Sequence, residues 1–260
     1  MIRFALLGLV QGLTEFLPVS SSGHLVLAGQ WLGLDPPGVL LEAMLHWGTL
    51  AAIIIVFRSD IVGLLNSLRG KGSVEQRKEA GFLVAGTIPV VAIGLLLREM
   101  IQSAFSSLLC VGIGLLITAL VLTVGHVARA RARRPAIRFP DALVVGLAQA
   151  ASVFPGISRS GFTISSGIAV GLTASQAARF SFLLAIPALF GAGLLHLVDA
   201  LKAPGIQNWL GILIGTLCAF ASGWLALRAV LALVRRGKFW IFGVYCFVLG
   251  CGILVWAGLR

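Results

Sequence analysis

Charged side chains are scarce in this sequence: 11% of 260 residues, against about a quarter in a soluble globular domain. A water-soluble fold with a charged coat is thereby excluded. Long polar runs are missing too. The longest, about Arg58 to Ala80, is too short to bury a core of its own, which leaves no room for an extramembrane domain of any size. Cysteine is sparse and scattered. Cys110, Cys218, Cys246 and Cys251 lie inside apolar stretches with no Cys-x-x-Cys pair, so core packing is expected for them rather than a disulfide framework or a zinc site. A cleaved leader is not expected either: Arg3 precedes an apolar run, but Gln11 and Glu15 interrupt it and no small-residue cleavage site follows.

What fills the chain is apolar, with 58% hydrophobic residues and a mean hydropathy of +1.02. A helix needs about 17–25 apolar residues to cross hydrocarbon, and six stretches qualify, roughly 39–57, 81–97, 108–127, 182–198, 209–227 and 239–259. The expected fold is an all-α polytopic membrane protein. A net charge of +11 would point to nucleic acid in a soluble protein; here the expected partner is the lipid bilayer, with no nucleic acid, and the charge reports orientation. Arg58, Arg69, Lys71, Arg77 and Lys78 share one loop, Arg129, Arg131, Arg133, Arg134 and Arg138 a second, and Arg228, Arg235, Arg236 and Lys238 a third. The alternate loops, 98–107 and 198–208, hold only Arg98 and Lys202. By the positive-inside rule the first three are cytoplasmic and the other two, with both termini, external.

Segments 1–38 and 139–178 must then enter and leave on one side, as re-entrant helical hairpins. Each carries Pro, Gly and Ser at mid-membrane depth, where such backbone survives only if protein or a water-filled cavity satisfies its polar groups. An internal repeat agrees. Displacing the chain by 138 residues aligns 8–34 with 146–172 without a gap, matching Gly8 with Gly146, Gln11 with Gln149, Phe16 with Phe154, Ser20 with Ser158, Ser22 with Ser160 and Gly23 with Gly161. Each half, 1–127 and 128–260, is then one hairpin plus three crossings of a single membrane domain. Three is odd, so the second half sits inverted, which puts a site near the midplane where the hairpins face each other. Gly29-x-x-x-Gly33 and Gly167-x-x-x-Gly171 suit close helix packing there.

The polar residues of the hairpins carry the chemistry. Gln11 and Glu15, spaced i, i+4, share one helix face and precede Pro18, Ser20, Ser21, Ser22, Gly23 and His24. The second hairpin presents Ser158, Arg159, Ser160, Gly161 and Thr163 after Pro155-Gly156. A planar guanidinium with hydroxyls and a Gly-supported backbone is what a phosphate needs. Glu, Ser and His are what phosphoanhydride cleavage needs: a carboxylate for a metal or a proton, a hydroxyl or imidazole to attack, and an acid for the leaving group. The plainer alternatives are a Glu15–Arg159 pair made only for assembly and serines that only form turns; intramembrane ionisable residues favour function. Glu42 and His46, again i, i+4, read equally well as groups supporting the site or as a polar pair near the external surface. His126 and His196, at span ends, read as interfacial.

These residues resemble the bacterial undecaprenyl-diphosphate phosphatases associated with bacitracin resistance. The likeness covers essentially the whole chain. QGLTEFLPVSSSGH (11–24) is similar to the family's first motif and PGISRSGFT (155–163) to its second, with LHWGTLAA (45–52), GTIP (86–89) and RFSFLLAIP (179–187) as further similar stretches. The resemblance implies a hydrolase that converts the lipid carrier's diphosphate to the monophosphate for peptidoglycan and cell-wall synthesis. It implies Glu15, Ser21, His24 and Arg159 as catalytic residues, and Ser20, Ser22, Ser158, Ser160, Gly161 and Thr163 as phosphate-binding ones. It also implies a divalent cation, Mg²⁺ or else Ca²⁺, on Glu15 with Gln11 beside it, and a bacterial inner membrane with the site facing outward. A homo-oligomer is compatible with this. Whether Ser21, His24 or water attacks stays open. The sequence departs from the family where Tyr245 is followed by Cys246 rather than Arg, which puts a local contact of the last helix in doubt but not the site. The rival reading is a transporter or flippase of polyprenyl phosphates, which inverted repeats suit equally well.

Overall fold

Twelve α-helices and no strand are found among the described residues, 1–33, 39–202 and 208–259, of a computed structural model of the protein. Helices are what hydrocarbon imposes, because each satisfies its backbone groups internally. They are α1 (Ile2–Phe16), α2 (Ser21–Leu32), α3 (Val39–Val56), α4 (Arg58–Leu68), α5 (Val74–Leu96), α6 (Arg98–Phe105), α7 (Leu108–Ala128), α8 (Phe139–Ala151), α9 (Arg159–Ala169), α10 (Ala174–Lys202), α11 (Trp209–Arg235) and α12 (Ile241–Gly258). α5, α7, α10, α11 and α12 are long and apolar enough to cross a membrane, and there are six such spans if α3 with α4, bent by 79°, counts as one. The chain is a polytopic membrane protein.

Three details depart from expectation. Most of the supposed loop 58–80 is helix: α4 follows directly on α3, and α5 starts at Val74 because Ser73 and Gln76 cap it reciprocally, each accepting the other's backbone N–H at 3.1 Å. The 98–107 loop contains α6. Arg228 and Arg235 belong to α11 rather than to a loop, Arg228 lying 4.2 Å over the Trp224 ring. In each case charge marked the end of an apolar run and not the end of a helix. The tail of the first hairpin, 34–38, and part of the 198–208 loop, 203–207, lie outside the described residues.

α1–α2 and α8–α9 are helix–turn–helix pairs whose ends come back together. A Cβ on Gly33, just after α2, would lie 3.8 Å from Arg3 Nη1, at the start of α1. Around the second pair, the backbone N–H groups of Arg133 and Arg134 donate to Gly171 O at 3.1 and 2.9 Å, and that of Thr173 to Arg134 O at 2.8 Å. Arg134 also forks onto Asp141 at 2.7 and 3.0 Å and donates to Val170 O, tying the start of α8 to the end of α9. Burial pushes the Asp141 carboxyl up, but the Arg134 guanidinium and the Arg138 N–H outweigh it and hold the group below its ordinary 3.8.

Packing follows the repeat. α1 lies on α11 and α8 on α5, so the first helix of each pair rests on a long helix of the other half. Gly8 and Gly146, partners in the 138-residue register, face the backbones of Gly215 and Gly86, leaving no room for a Cβ. Between helices in lipid, such close approach is itself the source of association. The turns meet reciprocally as well. A Cβ on Gly161 would lie 3.4 Å from Pro18 Cβ, and one on Gly23 would lie 3.6 Å from Gly156 Cα. Under the register Gly23 becomes Gly161 and Pro18 becomes Gly156, so the two contacts are equivalent pairs.

Candidate active site

Glu15 lies where the two turns meet. One helical turn after Gln11, its Oε2 accepts Gln11 Nε2 at 2.9 Å and Ser21 Oγ at 2.6 Å, while Oε1 is ion-paired with Arg159 Nη2. Ser21 and Arg159 open α2 and α9 and are partners in the repeat register, so the carboxylate bridges equivalent positions of the two helix–turn–helix pairs. The side chains of Glu15 and Arg159 are 4% and 18% exposed. Desolvating such a pair costs several kcal/mol per ion, a cost that favours a functional role.

Arg159 is held from behind. Its Nη1 donates to Ala185 O at 3.5 Å, and its own carbonyl accepts from Thr163 Oγ1 at 2.7 Å, which is 2.5 Å from Ser181 Oγ. Thr163, expected to hold phosphate, is fully buried beneath Arg159 with its hydroxyl committed there. Ser181 and Ala185 belong to a stretch that sequence similarity had marked without a role.

Ser20 and Ser158 cap the two helices, Ser20 Oγ accepting Gly23 N–H at 3.3 Å and Ser158 Oγ accepting Gly161 N–H at 3.1 Å. Ser22 and Ser160 stand 3.2 and 3.3 Å from them. Two helix N-termini thus converge on one point, each with positive potential and a pair of hydroxyls, an arrangement suited to an anion with several oxygens. Thr118 of α7 braces the second turn, accepting Ser158 N–H and donating to Gly156 O, each at 3.0 Å.

The two caps differ in strain. Ser20, with φ 67°, is the one non-glycine of positive φ among the described residues, whereas Ser158 has φ −82°. The Ser20 carbonyl accepts His24 Nδ1–H at 2.8 Å, and His24 Nε2 accepts the Tyr245 hydroxyl at 2.7 Å. No hydrogen bond links His24 to Glu15, Ser21 or Arg159. The last helix therefore reaches the site: besides Tyr245, Cys246 donates its thiol to Pro18 O at 3.4 Å. Contacts across 221 residues leave no local trace in a sequence.

Farther off, His46 Nδ1 donates to Glu42 O at 2.8 Å and its ring meets that of His196 edge-on, centroids 6.1 Å apart. His196 thus turns inward, its Nδ1 buried and unpartnered among the described residues, rather than snorkelling to an interface. His126 packs against Trp240 at a span end, centroids 6.4 Å apart. No group of three His, Cys, Asp or Glu suited to a metal occurs among the described residues. The buried Gln11 Oε1 has no partner, however, and belongs to the side chain whose Nε2 bonds Glu15, which leaves one unsatisfied oxygen on the residue next to the carboxylate.

A family profile described as "Bacitracin resistance protein BacA" matches residues 4–252. The chain belongs to the BacA family. Its relatives include proteins named undecaprenyl-diphosphatase from Halothermothrix orenii, 39% identical over 97% of this chain and 96% of that protein, and from Desulfosudis oleivorans, 40% identical over 100% and 99%. Another of the same name, from Korarchaeum cryptofilum, is 43% identical over 96% of both chains. The BacA match spans both hairpins, so every residue of the site just described lies within the family's boundaries.

Proposed function

We propose that this BacA-family protein hydrolyses undecaprenyl diphosphate to undecaprenyl phosphate and inorganic phosphate. The observation that carries this reading is the Glu15 carboxylate shared between the Ser21 hydroxyl and the Arg159 guanidinium at the meeting of two helix N-termini. Arg159 binds the terminal phosphate in place of its bond to Glu15, with Ser158 and Ser160 beside it. Freed of Arg159, Glu15 accepts the Ser21 proton across their 2.6 Å hydrogen bond. The Ser21 oxygen then attacks the terminal phosphorus, its bridging P–O bond breaks, and the lipid monophosphate leaves as an anion. Water, activated from the His24 side, hydrolyses the phosphoserine. A divalent cation, Mg²⁺ or Ca²⁺, held by Glu15 and Gln11 Oε1 with phosphate oxygens completing its shell, would screen the charge that Arg159 alone leaves unbalanced.

The proposed setting is the inner membrane, with halves 1–127 and 128–260 inverted, both hairpins re-entrant and the site open to the external side. The paired ends of each hairpin and the reciprocal contacts between the turns support it. A carrier of the same lipid could use Arg159 and the hydroxyls, but it has no use for a serine bonded to a base. Phosphate release from undecaprenyl diphosphate by purified protein in detergent, where no second compartment exists, is the expected result. Binding of the lipid without release would overturn the reading.

A further inference from the structure

His24 is the site residue whose orientation is set from outside both hairpins. The Ser20 carbonyl can only accept, so Nδ1 carries the imidazole proton and Nε2 of the neutral ring carries the lone pair. Into that lone pair Tyr245 donates its hydroxyl at 2.7 Å, with the two rings stacked at 5.8 Å and 13°. Tyr245 is the sole tyrosine of the chain. It stands on a face of α12 that otherwise turns Val244, Phe247 and Val248 outward, between 52% and 65% exposed. An aromatic ring on such a face needs no hydroxyl for packing; phenylalanine would serve. Its neighbour Cys246 is fully buried and bonded to Pro18 O, which pins α12 to the first turn and gives the Tyr245 hydroxyl a fixed place.

We propose that Tyr245 is a positioning residue for catalysis. With the Ser20 carbonyl on Nδ1 and its own hydroxyl on Nε2, it fixes the plane of the His24 ring in the resting site, gives up the Nε2 lone pair when the reacting water takes its place, and keeps the imidazole from rotating into the seam beside α12. The inference rests on the role given to His24 above, and the two can fail separately.

The test is a double-mutant cycle on the full-length protein in detergent, reading kcat and KM for undecaprenyl diphosphate together with the ¹⁵N spectrum of labelled histidine. Tyr245→Phe keeps the stacked ring and removes only the hydroxyl. It should lower kcat by about 10-fold, the scale of one lost hydrogen bond, with KM and melting temperature unchanged and the His24 Nε2 signal losing its hydrogen-bonded shift. In a His24→Asn background the same change should have no further effect on the residual rate, because a positioning residue has nothing left to position. Full kcat in Tyr245→Phe would overturn the proposal while leaving His24 in place. An equal loss in the His24→Asn background would overturn it as well, by showing that the hydroxyl acts elsewhere. If His24→Asn alone turned over at the parent rate, the role of His24 and the inference built on it would both fall, with the Glu15, Ser21 and Arg159 chemistry untouched.

Discussion

Replacing Glu15 by glutamine separates charge from shape at the centre of the site. The amide keeps the size of the carboxylate, and the surrounding hydrogen bonds can be rebuilt. Gln11 has a buried oxygen without a partner, so turning its amide over offers that oxygen to the new N–H, while the Ser21 hydroxyl reverses and accepts. What is lost is the negative charge facing Arg159, whose side chain is 18% exposed. Removing one partner of a buried ion pair costs about 3–5 kcal/mol, and because the amide oxygen still accepts from the guanidinium the lower end, about 3 kcal/mol, is expected. The freed Arg159 becomes a better anion site, since phosphate no longer competes with Glu15 for it. Inorganic phosphate at about 100 times its Kd would return about 2.7 kcal/mol. Glu15→Gln should therefore release no phosphate from undecaprenyl diphosphate, melt below the parent in detergent, and recover more of its melting temperature on adding phosphate than the parent gains. Turnover comparable to the parent would refute the assignment of Glu15 to proton transfer. An unchanged melting point and an equal phosphate response would refute the energetic argument.

At Ser20, glycine removes the positive-φ strain, about 1–3 kcal/mol, against a few tenths for the weaker cap and about 0.4–1 kcal/mol of added unfolded-chain entropy. Alanine keeps the strain and loses about 1 kcal/mol of cap. Melting temperatures should rank Ser20→Gly above the parent and Ser20→Ala below it, and the reverse order would show the backbone there to be unstrained. Asp141, its folded pKa held below the ordinary 3.8, contributes stability that is fully present above about pH 4 and disappears as pH falls through the folded value. Asp141→Asn should melt lower than the parent at neutral pH, with the gap narrowing as pH falls below about 4; a gap of constant size through that range would contradict this. Single cysteines in a background lacking the four natural ones should be labelled from the cytoplasm at Ala130 and from outside at Ser103, and labelling of both from one side would contradict the inverted halves.

The hairpins were legible because their signal is local. Gln11 and Glu15 fall one helical turn apart, and Gly and Ser interrupt apolar runs at the same phase in both halves. The structure brings Glu15, Ser21 and Arg159 together as the motifs implied. Thr118, Ser181 and Tyr245 were not legible as site residues, since a single polar side chain on an otherwise apolar helix sets up no period and its partner lies on another helix. α4 and α6 were hidden for a different reason. Charge and polarity mark where an apolar run stops, and a short helix that follows directly on such a run reads as a loop. His196 was misplaced by the same rule: proximity to a span end said nothing about which way the ring turns.

A carboxylate that bridges two equivalent positions of a repeat admits no twin. The residue related to Glu15 by the repeat is Val153, and a second acid there would compete for the same point between Ser21 and Arg159. Like charges crowded so closely cannot both stay ionised. Nor could two copies of one hairpin supply the site, because a serine and an arginine must occupy equivalent positions on opposite sides of the same acid. Duplication could provide the scaffold, but the chemistry required the halves to diverge at three related pairs, Glu15 and Val153, Ser21 and Arg159, His24 and Phe162. In the proposed reaction one half holds the reacting groups and the other the grip on the phosphate, so a gene encoding either half alone would encode no enzyme.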